Sequence, residues 1–327
     1  MRCIHCGSTA GIPRKNELTL NESLSVVDEL VELDCKEVTL IGGEVFLYPK
    51  WDEIARKLTD YGIEVSIITN GFLMGQKQLD EIKNAKLDLV GISVDGMREN
   101  HNKIRNHKQA FDRILKAFDL LNEEKIPKGV VTTIFDFNFT DLEQLYGLFI
   151  KSNISVWQLQ LANPMGNMAD NNGFVFDPKK MSHLTNFIKE KRYGHELLVY
   201  AGDNIGYYDH NEAYIRSMPN RLSVWQGCQA GLSVIGIDSI GNVKGCESIY
   251  SDDFIEGNVR EQSLIEIWND EDNFAYNRKF HPDNLQGKCK GCEMGAICRG
   301  GCRGSNVFCT GNLFENYFCQ YNATKRN

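Results

Sequence analysis

The chain has 327 residues and a formal net charge of −8 at pH 7, which excludes a broad basic surface for nucleic acid. It has no apolar run of membrane-spanning length and no charged-then-apolar secretory leader. We therefore expect a cytoplasmic protein of one large or two ordinary domains, with no nucleic-acid or membrane partner.

Eleven cysteines are unusual for a cytoplasmic chain, because thiols stay reduced there and disulfides are rare. The odd count also argues against a closed disulfide framework. Thiols at short spacings in a reducing compartment usually bind metal, and Cys3 and Cys6 form such a pair at the N-terminus. Cys35 ends an apolar helical stretch with no cysteine nearby, so we expect a core thiol there.

From residue 17 to about 190, strand and helix patterns alternate. Strands are predicted at 37–43, 63–71, 88–96, 129–138 and 156–164. Helices are predicted at 17–33, 49–62, 75–86, 99–126, 141–154 and 177–192. Repeated βα units of this kind indicate an α/β fold with a parallel sheet, which binds ligands at the carboxyl ends of its strands.

The ends of these predicted strands carry small and polar residues. They read Gly42-Gly43-Glu44, Thr69-Asn70-Gly71, Ser93-Val94-Asp95-Gly96 and Asn163-Pro164. A glycine in a single loop is ordinary turn chemistry. Four such segments at equivalent positions instead predict a ligand site at this edge of the sheet.

After about residue 195 the alternation stops, and eight of the eleven cysteines lie between Cys228 and Cys319. We therefore predict two domains, 1–195 and 196–327. The second has few long apolar runs, so bound metal would have to hold it together. Its spacing Cys289-x2-Cys292-x5-Cys298-x3-Cys302 is asymmetric, which favours iron–sulfur clusters over a zinc ribbon with two short knuckles.

Taken together, these motifs resemble those of radical S-adenosylmethionine (SAM) enzymes with a SPASM auxiliary-cluster domain. The resemblance includes the GGE segment, "ISVDG" at 92–96, "GNV" at 257–259 before "SLIEIWND", and seven C-terminal cysteine positions. It spans essentially the whole chain. It implies a partial (β/α)6 TIM-like barrel, here without its first strand, followed by a cysteine-rich SPASM domain.

The family binds its radical-generating [4Fe–4S] cluster with a CxxxCxxC motif and leaves one iron open for SAM. Cys3 and Cys6 match the second and third cysteines, with His5 between them. The first cysteine would fall two residues before Met1. We therefore expect Met1 to be internal to the natural reading frame, or the sequence to be truncated, and the printed chain to be inactive. The alternative is a true start with a degenerate site.

The resemblance also assigns residues to SAM. Gly42, Gly43 and Glu44 match the segment that binds its amino group, since carboxylate and carbonyl oxygens accept hydrogen bonds from an ammonium. The other matched positions near SAM are Ser93, Asn70 and Leu161, the last along the adenine. Arg105 would pair with the SAM carboxylate; a solvated cation on a helix face is the alternative.

Two auxiliary [4Fe–4S] clusters follow from the same match. Their matched cysteines are Cys289, Cys292, Cys298 and Cys319 for the distal cluster and Cys228, Cys246 and Cys302 for the proximal one. Cys309 would supply the fourth proximal ligand, unless that site is open or Cys309 is a free thiol. An open iron could bind a substrate thiolate.

Glu247 follows Cys246 at the position where sulfatase-maturing relatives carry a catalytic aspartate. It would act as the base that deprotonates a substrate radical, provided that burial tunes its pKa. A structural or surface glutamate is the alternative.

The resemblance therefore predicts a peptide maturase. SAM would be cleaved to a 5′-deoxyadenosyl radical, which takes hydrogen from a residue of a ribosomally made precursor and leads to a thioether or carbon–carbon crosslink. A flavodoxin- or ferredoxin-type protein would supply electrons. The alternatives are an anaerobic formylglycine-generating sulfatase maturase and, with Met1 as the true start, a non-catalytic iron–sulfur electron carrier.

Overall fold

The computed structural model describes residues 1–192, 197–218 and 221–324. Within these ranges, one sheet contains six parallel strands in sequential order. They are β1 (Glu37–Leu40), β2 (Glu64–Thr69), β3 (Leu89–Ser93), β4 (Lys128–Ile134), β5 (Val156–Leu161) and β6 (Leu198–Ala201). The register aligns apolar residues of neighbouring strands, as where Val38 pairs with Val65 and Ile67 with Val90.

The predicted α/β class and the five predicted parallel strands are confirmed, but five was too few. The sixth strand, β6, pairs in parallel with β5 and lies beyond residue 195, where the alternation was expected to stop. It is only four residues long, so its apolar pattern is too short to stand out. The domain boundary at residue 195 stays a prediction.

Seven helices in the described ranges follow or precede these strands. They are α1 (Leu20–Glu32), α2 (Trp51–Asp60), α3 (Gln76–Ala85), α4 (Arg98–Arg105), α5 (Ala110–Glu123), α6 (Leu142–Lys151) and α7 (Met181–Arg192). Their apolar faces pack on the sheet, where Val65, Ile92 and Leu159 are fully buried. The main hydrophobic core therefore lies between the sheet and these helices.

The single helix predicted over 99–126 is wrong, because α4 and α5 are separate. The chain leaves α4 at Asn106, which adopts the left-handed conformation with φ 51°. Asparagine tolerates that conformation better than most residues. The Asn102 side chain then accepts a hydrogen bond from the N–H of Phe111 (2.9 Å), which fixes the break and leaves Arg105 at the end of a short helix.

The cysteine-rich region has little regular structure. Its described helices are α8 (Glu212–Arg216), α9 (Leu264–Asn269), α10 (Ala275–Arg278), α11 (Gly295–Cys298), α12 (Arg303–Thr310) and α13 (Gln320–Thr324). Its strands β7 (Gly236–Ile237), β8 (Asn242–Lys244) and β9 (Gly257–Asn258) form a small antiparallel sheet. One of its cores contains Cys228, Cys298 and Cys302 beside Tyr207 and Trp225, so thiols take the place of large apolar side chains.

Helix α1 joins the two regions. Its Val26 packs in one core with Leu264 and Phe274, and Arg260 forms an ion pair with Glu22 (2.5 Å). The cysteine-rich region is therefore fixed against the barrel. Among the described residues, no helix is both long and apolar enough to cross a lipid bilayer.

Candidate functional site

The N-terminal cysteine loop is tied to the barrel by hydrogen bonds. The Asn167 side chain donates to the carbonyl of Cys3 (3.0 Å), and the Asn167 N–H donates to the carbonyl of Cys6 (3.0 Å). The N–H of Ile4 donates to the carbonyl of Ile104 in α4 (2.9 Å). Both cysteines are half-buried, and their charges interact, so the loop brings the two thiols together.

The glycine pair after β1 lies beside this loop. A Cβ on Gly43 would come within 3.0 Å of the Cβ of Ala10, four residues after Cys6. Gly42 has φ +139°, and no atom outside Gly42 and its two chain neighbours lies within 4 Å of the place where its Cβ would stand. The structure therefore places open, glycine-lined backbone next to the cysteine pair.

Glu44 is fixed in the same loop by groups at the end of β2. Its carboxylate accepts hydrogen bonds from the hydroxyl of Thr69 (2.6 Å) and the N–H of Asn70 (2.9 Å). Burial raises the pKa of Glu44, and these hydrogen bonds partly offset the rise. The Asn70 side chain accepts from the N–H of Phe72 (2.9 Å), so it also shapes the turn after β2.

Ser93 and Leu161 lie at the ends of β3 and β5, at the same edge of the sheet. Ser93 is half-buried. The Asn204 side chain accepts from the N–H of Leu161 (2.9 Å) and donates to its carbonyl (2.9 Å). Because Asn204 engages both backbone groups, the contact of Leu161 with adenine stays a prediction.

Arg105 is buried, with 8% of its surface exposed, so it is not a solvated cation on a helix face. Its Nη2 forms an ion pair with Asp95 (2.6 Å), and its Nη1 lies 3.9 Å from the sulfur of Cys3. Its Nε is buried and has no hydrogen-bond partner among the described residues. The structure brings Arg105 to the cysteine loop, and its pairing with the SAM carboxylate stays a prediction.

Asp95 organises a buried polar network after β3. Its carboxylate accepts from the N–H of Thr133 (3.0 Å), its own N–H donates to Nδ1 of His101 (3.0 Å), and His5 Nε2 lies 3.8 Å away. Burial raises the pKa of Asp95, but Arg105 and the histidines more than offset this. Its pKa therefore lies below the usual value. Burial lowers the pKa of His5 to about 4 and that of His101 to about 3, so both rings are neutral at pH 7.

The four cysteines predicted for the distal cluster surround one cavity. Cys289, Cys292, Cys298 and Cys319 line the same pocket. The N–H of Asn316 donates to the sulfur of Cys289 (3.4 Å). Burial, followed by the charges of neighbouring thiols, raises the pKa of Cys298 to about 12.

The three proximal cysteines form a second group. The charge of Cys302 interacts with Cys228 and Cys246, and burial is the main reason why its thiol pKa is raised. Burial also raises the pKa of Cys246 to about 11. The N–H of Cys302 donates to the hydroxyl of Tyr207 (3.2 Å), which fixes this thiol at the start of α12.

Cys309 and Cys35 belong to neither group. Both are half-buried and pack against the main hydrophobic core. Cys309 follows Cys302 by seven residues along α12, which separates them by roughly 10 Å along the helix axis. Burial alone raises the pKa of Cys309 to about 12, and both of its expected roles, fourth proximal ligand or free thiol, stay predictions.

Glu247 is half-buried beside β7. Its Oε1 is buried and has no hydrogen-bond partner among the described residues. Burial raises the pKa of this carboxyl, and the charge of Lys244 partly offsets the rise. An unpartnered carboxyl of raised pKa is a suitable proton acceptor, although its role as the base stays a prediction.

Sequence reasoning missed four residues of this site. Asp95 was visible at a strand end but was given no role. Arg303 directly follows Cys302, and Asn204 and Asp203 follow the unpredicted strand β6. The charge of Asp203 interacts with Cys246 and Cys302, so recognising β6 would have pointed to it, since ligands bind at the carboxyl ends of parallel strands.

The residues present fit SAM and iron–sulfur clusters. Among the described residues, no group of three or more His, Cys, Asp or Glu side chains is arranged for one metal ion. In a four-iron cluster each cysteine binds its own iron, and four cysteines here share one cavity. Arg303 Nε and Nη2 and the Tyr276 hydroxyl are buried donors without partners in the described ranges, and cluster sulfur would accept from them.

Comparison with known families agrees with this geometry. The model of the Radical SAM superfamily matches residues 1–149. The model of the SPASM domain, an iron–sulfur cluster-binding domain, matches residues 228–293.

Two relatives illustrate the range of similar proteins. An AdoMet-dependent heme synthase of Methanosarcina barkeri (strain Fusaro) is 27% identical over 100% of this chain and 94% of its own length. The mycofactocin maturase MftC of Mycolicibacterium smegmatis is 24% identical over 94% of this chain and 76% of its own.

Streptococcus suis SuiB, solved bound to S-adenosylmethionine, superposes with a TM-score of 0.74 at 17% identity. The match covers 98% of this chain and 74% of the SuiB chain. SuiB was also solved bound to the precursor peptide SuiA. This likeness shows the fold.

Proposed function

We propose that this chain, which belongs to the radical SAM superfamily and carries a SPASM domain, uses SAM and its [4Fe–4S] clusters to remove hydrogen from a peptide substrate. When bound, the N-terminal cluster and SAM would supply the chemistry, which is one-electron cleavage of SAM to methionine and transfer of a substrate hydrogen atom to the 5′-deoxyadenosyl group. The observation that carries the proposal is that the cysteine loop, the glycine pair and the Arg105–Asp95 pair meet at the carboxyl edge of one parallel sheet.

The chain's own residues bind and orient these groups. Cys3 and Cys6 would hold iron, with the Arg105 guanidinium beside the Cys3 sulfur. Glu44, fixed by Thr69 and Asn70, would accept hydrogen bonds from the SAM ammonium.

Release of 5′-deoxyadenosine tests this assignment. The complete natural polypeptide, reconstituted anaerobically with iron and sulfide and reduced with dithionite, should release it from SAM. Cys3→Ala and Cys6→Ala together should abolish release, while Cys35→Ala, which changes a half-buried thiol packed against the main hydrophobic core, should leave it unchanged. Undiminished release from the double variant would refute the ligand assignment.

A ribosomally made peptide is the substrate class we propose, with a thioether or carbon–carbon crosslink as the product. The similarity to a mycofactocin maturase and the likeness to SuiB, which was solved with a precursor peptide, support it. The proximal group brings three cysteines together, and a substrate thiolate would be a chemically suitable fourth ligand.

A tetrapyrrole is the second candidate, because the Methanosarcina heme synthase aligns with the full length of this chain. Mass spectrometry separates the two candidates. The reduced enzyme with SAM is incubated with a cysteine-containing precursor peptide encoded beside its gene, or with an iron porphyrin precursor of heme. A loss of two hydrogens from the peptide supports our proposal; modification of the porphyrin alone would replace it.

Glu247 is our candidate for the base that takes a proton from the substrate. Its buried, unpartnered Oε1 and raised pKa support this role. Glu247→Gln should slow product formation more than it slows SAM cleavage, because only the later step needs the base. Equal slowing of both would assign Glu247 to packing.

We also propose that the protein works in the cytoplasm and receives electrons from a flavodoxin- or ferredoxin-type protein. Cluster thiolates need a reducing compartment, and one-electron reduction of a low-potential cluster needs a low-potential donor. Replacing dithionite with reduced flavodoxin should sustain the release of 5′-deoxyadenosine.

A further inference from the structure

Arg303 is a fully buried cation in the cysteine-rich region. It directly follows Cys302, begins α12, and has 0% of its surface exposed. Its guanidinium lies over the rings of Phe314 (4.6 Å from the centroid) and Phe280 (5.7 Å). Water therefore cannot stabilise its charge, and the protein interior must do so.

Only one nitrogen of this guanidinium has partners. Nη1 donates to the carbonyls of Arg299 (2.5 Å) and Leu313 (3.2 Å). Nε and Nη2 are buried and have no partner among the described residues. Buried donors without acceptors are costly, so these N–H groups call for an acceptor that the described side chains and backbone do not supply.

The charges around Arg303 identify that acceptor. Its largest charge interactions are with Cys228 and Cys302 of the proximal group, with Cys298 of the distal group and with Tyr276. Carboxylates are absent from these largest interactions. Three of these four partners are cysteine sulfurs, and they belong to both cysteine groups.

We propose that Arg303 is a positioning cation shared by the two auxiliary clusters, donating hydrogen bonds to cluster sulfur from Nε and Nη2 and raising the clusters' reduction potentials. The inference rests on the cluster assignment of the proposed function. Reduction adds negative charge to a cluster, so a buried positive charge and N–H···S hydrogen bonds favour the reduced form. Arg303 would thereby set how readily the substrate's electron passes into either centre.

Potentiometric titration followed by electron paramagnetic resonance tests this inference. The Cys3→Ala/Cys6→Ala form of the complete polypeptide serves as the parent, since only auxiliary centres should then give signals. Arg303→Gln should lower the equilibrium constant for one-electron reduction of at least one centre about tenfold or more, which is 59 mV for one electron. Arg303→Lys keeps the positive charge but loses the planar set of guanidinium N–H donors. The equilibrium constant should therefore decrease less in Arg303→Lys than in Arg303→Gln.

Arg299→Gln is the matched control. Arg299 has the same charge and lies over the same Phe280 ring (5.8 Å), but it is half-exposed, so water screens it. In Arg299→Gln, the equilibrium constant for one-electron reduction should change by less than about threefold. Full iron content with unchanged potentials in Arg303→Gln would overturn the inference and leave the proposed function standing. A parent protein without cluster signals would overturn both.

A measurement that needs no folded Arg303→Gln variant completes the test. Pulsed electron paramagnetic resonance of the reduced parent, labelled with 15N-arginine, should show nitrogen coupling to an auxiliary centre. Arg303→Lys should remove that coupling, and Arg299→Gln should retain it. A parent spectrum without coupling would overturn the inference.

Discussion

Replacing Asp95 with asparagine would remove the counter-charge of a guanidinium that water barely reaches. Asp95 Oδ2 and Arg105 Nη2 are 2.6 Å apart, and their side chains are 1% and 10% exposed. Asparagine still offers an oxygen to the N–H of Thr133, so the loss is mainly one of charge. Breaking a buried ion pair from one side costs about 3–5 kcal/mol, and we expect this loss in the free energy of unfolding.

Urea denaturation at pH 7 measures this loss, followed by the fluorescence of the four tryptophans, which include the fully buried Trp157. The double variant Asp95→Asn/Arg105→Met should recover most of the stability, because it leaves no buried charge unpaired. Glu124→Gln breaks an ion pair with Lys83 whose side chains are 36% and 43% exposed, so it should cost less than about 1 kcal/mol.

Two results would refute this reasoning. One is an Asp95→Asn variant within about 1 kcal/mol of the parent, the range of an exposed pair. The other is a double variant no more stable than Asp95→Asn alone. Either would mean that Arg105 finds a second counter-charge in the cysteine loop.

Three further predictions use other parts of the structure. Between pH 7 and pH 5, His101 alone should lower the free energy of unfolding by about 2 kcal/mol, because burial lowers its pKa to about 3 while the unfolded ring protonates near 6.5. Urea titrations of His101→Gln should lose this part of the decrease and keep the part from buried His5, whose pKa is lowered to about 4, while exposed His183→Gln should keep both parts. Gly166→Ala would place a Cβ 2.3 Å from a carbonyl oxygen of the cysteine loop and should slow 5′-deoxyadenosine release by about a hundredfold. Gly147→Ala, where the Cβ meets open space, should not, and equal rates would contradict the loop's role. Cys309→Ser should leave the iron content unchanged, since this thiol packs against the main core; a loss of iron would make Cys309 a ligand.

Much of the fold could be predicted because its signals are local. Short apolar runs ending in glycine, asparagine or proline mark β1 to β5, and helical spacing marks most of the helices between them. The break at Asn106 depends on one left-handed residue and on the Asn102 side chain, which apolar periodicity does not record. Strand β6 is four residues long and is recognisable only by its pairing with β5.

The candidate site divides in the same way. Short spacing groups Cys289, Cys292 and Cys298, and the structure brings these thiols to one cavity. The Asp95 network instead joins the N-terminal loop, α4 and β4, which lie far apart in sequence. Neither the burial of Arg105 nor the unpartnered donors of Arg303 can be read from a charge pattern, because both depend on how distant segments pack.

Iron, sulfide and zinc analysis of the complete natural polypeptide after anaerobic reconstitution tests the central claim most directly. Three clusters of the four-iron type predict about twelve irons and a similar amount of sulfide per chain. About four irons would leave the two C-terminal cysteine groups without clusters. A protein that contains zinc and no sulfide would contradict the account.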